Sequence, residues 1–163
     1  PANKTGKPYL AEFPQVTAIS NIVVDGVPIG GLGAYEAEWH TDMSYNEMTP
    51  SASILYAIEI PPSGGDTWFC DMYDAYDKLP PDLKSRIAGL KCYVPGLSLE
   101  ESESLLDALW RHAVRPESTW VQQWRIGDVL IWDNRCTMHR RDAFDPAQRR
   151  LMHRTQIAGD KPY

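Results

Sequence analysis

The chain has 163 residues, 43% of them hydrophobic and 23% charged, with a formal net charge of −6 at pH 7. That balance suits a globular domain able to bury a core. No stretch approaches the roughly 18–20 apolar residues of a membrane span, and the acidic balance argues against nucleic acid as a general partner.

Residues 1–14 are rich in Pro, Lys and Gly and read as irregular. Because position 1 is Pro, further N-terminal residues are expected to precede it. Residues 15–24 are β-branched and predict a strand, and residues 25–38 hold a Gly-rich loop and then GAYEAE. The segment 39–45 (WHTDMSY) alternates and predicts a strand running into a loop. Residues 51–60 (SASILYAIEI) predict a buried strand, 61–66 (PPSGGD) a turn, and 67–72 another strand. Helices are predicted over 73–79, 81–90 and 99–113, the last amphipathic with Ser98 as N-cap. Strands resume at 118–124, 128–134 and 150–159.

Strands, then helices, then strands are not the alternation of a parallel βαβ sheet. Short strands between Gly/Pro turns predict a mainly β domain with flanking helices, an antiparallel sandwich or jelly roll. The cysteines, Cys70, Cys92 and Cys136, are odd in number and lack CxxC spacing. Reduced thiols in a cytoplasmic protein are expected.

There are four histidines: His40, His112, His139 and His153. On a strand, His40 and Asp42 would project from one face. An imidazole and a carboxylate side by side, with one more histidine, make the 2-His-1-carboxylate set of non-haem Fe(II) oxygenases. HxD alone is usually a surface pair, so the third ligand matters. His139 follows the apolar strand VLIWDN and precedes a basic stretch, where a core gives way to a mouth. His112 reads as a surface or half-buried helix residue. His153 alternates away from Arg150, Met152 and Arg154 and reads as structural.

Basic residues cluster late, at Arg140, Arg141, Arg149, Arg150 and Arg154. The ordinary reading is a solvated strand edge. The sharper one is a site for small anions, since a planar guanidinium grips a carboxylate with two parallel hydrogen bonds. Arg150 lies eleven residues after His139, and Arg154 roughly 13 Å further along the same strand face. One could hold a co-substrate carboxylate and the other an anionic substrate.

W-H-T-D at 39–42, P-x-G-G-D-T at 62–67, W-D-N-R-C-T-x-H at 132–139 and Q-R-R-L-M-H-R-T at 148–155 together resemble the taurine dioxygenase and chlorophenoxyacetate dioxygenase family. The order and spacing match from about residue 35 to the end. The resemblance implies a double-stranded β-helix, a cupin-like jelly roll, and Fe(II), 2-oxoglutarate and O₂ as cofactor and co-substrates. It implies His40, Asp42 and His139 as iron ligands, and Thr67 and Arg150 at the distal carboxylate of 2-oxoglutarate. Arg154 matches the position that meets an anionic substrate group. The implied reaction hydroxylates a small organic molecule and releases succinate and CO₂. Family members with the Asp42 carboxylate hydroxylate, whereas related halogenases lack it. The resemblance also implies a homo-oligomer, dimer or tetramer.

The chain departs from the family in two places. Lys91-Cys92 jumps to Tyr93-Val94 where the family has a longer segment, so a loop is expected to be absent near 92–93 of a single catalytic domain. Tyr35, Glu36 and Glu38 replace an asparagine-rich approach, so taurine is not assigned as substrate. Three readings stay open: an oxygenase of small anions such as sulfonates, aryloxy acids or alkyl sulfates; one acting on an amino acid or natural-product intermediate; and a metal-binding β-barrel or zinc hydrolase without oxygenase activity. The G-G-D-T and Q-R-R segments disfavour the last, because a hydrolase needs no 2-oxoglutarate clamp.

Overall fold

A computed structural model describes residues 10–89 and 97–161. The expected discontinuity at Cys92–Tyr93 falls outside these residues. The strands are β1 Thr17–Ser20, β2 Val23–Val24, β3 Val27–Pro28, β4 Gly31–Leu32, β5 Ala37–His40, β6 Ala52–Glu59 and β7 Thr67–Asp71, then β8 Thr119–Gln122, β9 Val129–Asp133, β10 Thr137–Arg141 and β11 Leu151–Ile157. Three helices, α1 Met72–Asp77, α2 Pro81–Ile87 and α3 Leu99–Ala113, lie between β7 and β8 in the chain. Contacts divide the chain into a β unit, Pro1–Phe69 with Val121–Tyr163, and a helical unit, Cys70–Trp120.

One sheet, within the β unit, runs β4-β1-β11-β6-β9, and another has the order β5-β10-β7-β8. Strand alternation explains what each face carries. On β6, Ser53, Leu55 and Ala57 turn inward while Tyr56 is exposed. Leu55 and Ala57 join Ile19, Met152, Phe69, Trp124 and Trp132 in one core cluster, fed by both sheets. This is the layered arrangement of a jelly roll.

The second sheet is also held from outside. The Arg140 guanidinium lies 4.9 Å from the Trp68 ring and 5.6 Å from the Trp39 ring. Arg140 also pairs with Asp142 at 2.5 Å, and Trp68 Nε1 donates to Asp142 at 2.7 Å. Arg140, Trp68 and Trp39 adjoin His139, Thr67 and His40, which line the cavity within. The outer lattice therefore fixes the register from which the inner side chains project.

In the helical unit, α3 begins and ends where its apolar spacing predicts. Ser98 caps it, its Oγ accepting from Glu101 N at 3.3 Å while Glu101 Oε2 accepts from Ser98 N at 3.0 Å. That reciprocal pair satisfies two backbone donors otherwise left open.

Three sequence expectations change. The single strand over 15–24 is two strands, because the chain turns into a tight hairpin, Val24 facing Val27. Asp25 and Gly26 both take positive φ, 50° and 76°, as a two-residue Asp-Gly turn requires. The strand expected over 39–45 ends at His40, and Asp42 sits in a turn. Finally, Thr137–Arg141 is a strand that no hydrophobic alternation announced, because His139 and Arg141 are polar yet turn inward.

Candidate metal centre

His40 and His139 face each other as register partners on β5 and β10. Their rings lie 4.2 Å apart at 50°. Asp42 Oδ1 is 3.7 Å from His40 Nε2 and 3.9 Å from His139 Nε2. All three ligand atoms fall within 4.8 Å of one another, close enough for one metal ion. The pairing of β5 with β10 brings the distant histidine to the HxD segment.

Strand alternation does not place Asp42, which lies past the strand end. Asn134 does. Its Oδ1 accepts from Asp42 N at 3.0 Å, and its Nδ2 donates to Asp42 O at 2.9 Å and Pro50 O at 3.1 Å. Asn134 is fully buried. The carboxylate is then oriented from β6 and β11: Ser53 Oγ donates to Oδ2 at 2.9 Å and Gln156 Nε2 at 3.2 Å. With Oδ2 occupied, Oδ1 turns to the histidines. Such outer partners commonly tune metal affinity as strongly as geometry does. Asn134→Ala would leave buried backbone groups of Asp42 and Pro50 unpaired. It is expected to cost about 2–4 kcal/mol of stability, read by urea unfolding, with weaker metal binding by calorimetry.

The electrostatics suit a cation. Burial alone would raise the Asp42 pKa, but hydrogen bonding with His40, the charges of Arg154 and His139, and the Ser53 hydroxyl hold it well below the usual carboxylate range. Its hydrogen bond with Asp42 raises the His40 pKa against the effect of burial. Glu38 O accepts from His40 Nδ1 at 2.6 Å, which puts the proton on Nδ1 and leaves Nε2 as the lone pair. Burial, helped by His40, pushes His139 down to about 4, so it is neutral near pH 7 and can donate a lone pair.

His40 and His139 line a cavity with about 460 Å³ of empty space, mouth included, lined also by Thr67, Trp132, Arg141, Arg150 and Arg154. Arg150 is 1% exposed. Its Nε and Nη2 are buried without a hydrogen-bond partner among the described residues. Burial, then the nearby Arg141, lowers it to about 9. A buried, unsatisfied guanidinium is costly unless an anion completes it. Thr67 is buried on β7, and its Oγ accepts from Trp124 Nε1 at 3.0 Å, leaving its own hydrogen free to donate. The preceding Gly64 and Gly65 take φ of 73° and 72°; a Cβ on Gly64 would meet Ala143 O at 2.7 Å, and one on Gly65 would meet Arg150 Nε at 3.3 Å. The double glycine therefore lets the turn pass close beside Arg150 and delivers Thr67 to the cavity. Arg154 donates to Asp42 Oδ1 at 3.1 Å, and its side chain is 21% exposed.

The residues read as ordinary have ordinary partners. Arg149 pairs with Glu59 at the surface at 2.7 Å. In the helical unit, His112 Nε2 contacts Ala75 O at 2.9 Å. His153 is half-buried on β11 and does not line the cavity. Sequence reasoning missed Asn134, Ser53, Gln156 and Trp124. It named Arg141 within the late basic cluster but gave it no separate role, although that residue lies two positions after His139 on the same strand face.

The family model described as "Taurine catabolism dioxygenase TauD, TfdA family" matches residues 6–92 and 90–156. The alpha-ketoglutarate-dependent 2,4-dichlorophenoxyacetate dioxygenase of Burkholderia sp. (strain RASC) is 29% identical over 210 residues, covering 94% of this chain and 70% of that protein. A crystal structure of a taurine dioxygenase from Burkholderia xenovorans superposes with a TM-score of 0.73 at 30% identity, covering 90% of this chain and 65% of that one. A structure of AAD-2 in complex with Mn(II) and N-oxalylglycine gives a TM-score of 0.71 at 28% identity, over 77% of this chain and 70% of that one. The chain thus spans about two thirds of the length of the proteins it matches. The His-Asp-His cluster and the unsatisfied buried arginine fit a metal and a small carboxylate of the kind those relatives use. With both halves matched by one family model over most of its length, the chain belongs to the TauD/TfdA family of 2-oxoglutarate-dependent dioxygenases and shares its cupin-like jelly roll.

Proposed function

We propose that the protein hydroxylates a small organic anion, a sulfonate, aryloxy acid, alkyl sulfate or similar, with Fe(II), 2-oxoglutarate and O₂. One oxygen atom enters the substrate as hydroxyl and the other enters succinate as CO₂ leaves. The observation that carries this reading is Arg150, a buried cation with open donors in the cavity the metal cluster faces. A zinc hydrolase has no use for it.

His40, Asp42 and His139 would hold the iron, which supplies O₂ activation when bound. The protein's own groups bind and orient. Arg150 and the Thr67 hydroxyl take the distal carboxylate of 2-oxoglutarate. Ser53 and Gln156 keep Asp42 aimed. Trp132 and Phe69, with rings 4.9 and 6.0 Å from His139, wall the centre from water. Arg154, at the partly exposed side of the cavity, takes the substrate's anionic group.

We read the chain as one catalytic domain from which a family segment near 92–93 is absent. Two observations support this: the family match comes in two pieces meeting at 90–92, and an alignment 210 residues long covers only 94% of 163 residues here. A homo-oligomer, dimer or tetramer, is proposed, with light scattering as its check. Among the described residues no helix is long and apolar enough to cross a membrane. The acidic net charge argues against nucleic-acid partners, and the free thiols Cys70 and Cys136 support a cytoplasmic setting.

The test is a panel of sulfonates, aryloxy acids, alkyl sulfates and amino acids, each beside a neutral isostere, with succinate release measured. Anionic members should stimulate release well above their neutral counterparts. Equal stimulation by neutral isosteres would contradict the anionic-substrate assignment.

A further inference from the structure

Arg141 is 6% exposed and lines the same cavity as Arg150, His139 and Thr67. It follows His139 by two residues on β10 and so shares its inward face. Its Nη2 donates to the carbonyls of Leu32 and Tyr35, and its guanidinium lies 5.5 Å from the Phe144 ring. Those contacts hold the group in place but use one nitrogen. Nε and Nη1 are buried with no hydrogen-bond partner among the described residues. No carboxylate is paired with it there. A cation anchored by backbone carbonyls, with its remaining donors open to a cavity, is preorganised for an anion that arrives from outside.

The cavity holds three arginines, and they differ in what is left open. Arg154 already meets Asp42. Arg141 and Arg150 each keep two unsatisfied nitrogens. The charge of Arg141 is felt at Arg150, which lines the same cavity. Arg141 and Arg150 thus line one cavity as two buried guanidiniums with open donors. Two like charges in one dry space repel each other, and one bridging carboxylate relieves both.

We infer that Arg141 is a second binding residue for the distal carboxylate of the co-substrate, so that this carboxylate is held between two guanidiniums and the Thr67 hydroxyl. The inference rests on the proposed 2-oxoglutarate chemistry and deepens it. It makes the cavity selective for dicarboxylic 2-oxo acids over those lacking the distal group.

The experiment is calorimetric titration of the Mn(II)-loaded full chain with 2-oxoglutarate and, separately, with pyruvate, which has the same 2-oxo acid head and no distal carboxylate. Arg141→Met should weaken 2-oxoglutarate binding about ten- to a hundredfold, as loss of a charge-assisted hydrogen bond does. It should leave the pyruvate affinity unchanged. Arg141→Lys, which keeps the charge but loses the planar fork, should recover part of the loss. Unchanged 2-oxoglutarate affinity in Arg141→Met, with Arg150→Met strongly impaired, would overturn the inference while leaving the function intact. Equal weakening of both ligands would overturn it too, by showing only damage to the fold. A wild-type protein that binds pyruvate as tightly as 2-oxoglutarate would overturn the distal clamp altogether.

Discussion

His40→Ala, Asp42→Ala and His139→Ala are each expected to abolish turnover, by at least about three orders of magnitude, because oxygen activation belongs to the metal they would hold. The three ligand atoms converge within 4.8 Å, and each is fixed by a different device. His40 is fixed by Glu38 O, His139 by its buried strand position, and Asp42 by the Asn134 bracket and the Ser53–Gln156 pair. Among the described residues no further ligating group joins this set to replace a lost donor. His112→Ala and His153→Ala should leave metal binding intact, since neither faces the cavity. The measurement is Mn(II) or Fe(II) affinity by calorimetry beside succinate release. Loss of metal in His112→Ala with retention in His139→Ala would contradict the assignment.

The second large effect has two signs. Arg150→Met should weaken 2-oxoglutarate binding by roughly two or more orders of magnitude, since a charge-assisted bond contributes on the order of 1.5–3 kcal/mol and about 1.4 kcal/mol is tenfold. The same change should stabilise the ligand-free protein by about 1–3 kcal/mol, because it removes a nearly fully buried cation with two open donors and fills the space with an apolar chain. Arg150→Lys should restore affinity poorly for want of the fork. Arg154→Ala should behave otherwise. It should mainly raise KM for an anionic substrate, with substrate-free decarboxylation of 2-oxoglutarate nearly unchanged. Denaturant unfolding and succinate release, with each substrate varied in turn, separate the cases. If Arg150→Met lowers both stability and affinity, the open guanidinium is not a source of strain in the ligand-free protein.

Much of this was legible in the residues, for reasons that differ by element. The α3 helix could be read to its ends because cap and period agree locally at Ser98 and Glu101. The β6 strand could be read from its apolar alternation. The β10 strand could not: two of its inward side chains, His139 and Arg141, are polar, so the strand hides from a hydrophobic pattern. Asp42 does lie beside His40, but strand periodicity is not the reason. The turn and Asn134, ninety-two residues away, place it instead, and no local signal reports a bracket of that span. Ser53 did carry a signal. It shares the buried face of β6 with Leu55 and Ala57, and a polar residue on an apolar stripe needs a partner. The Gly-Gly pair gained its reason only in three dimensions, from the Arg150 side chain lying against it.

The most direct test of the central claim is O₂ consumption by the purified protein, with Fe(II) and 2-oxoglutarate supplied together, singly or not at all, and succinate counted alongside. O₂ uptake is expected only when both are present, with one succinate formed per O₂ consumed and both signals lost in His139→Ala and Arg150→Met. Oxygen uptake indifferent to 2-oxoglutarate, or turnover sustained by Zn(II) in place of iron, would contradict it.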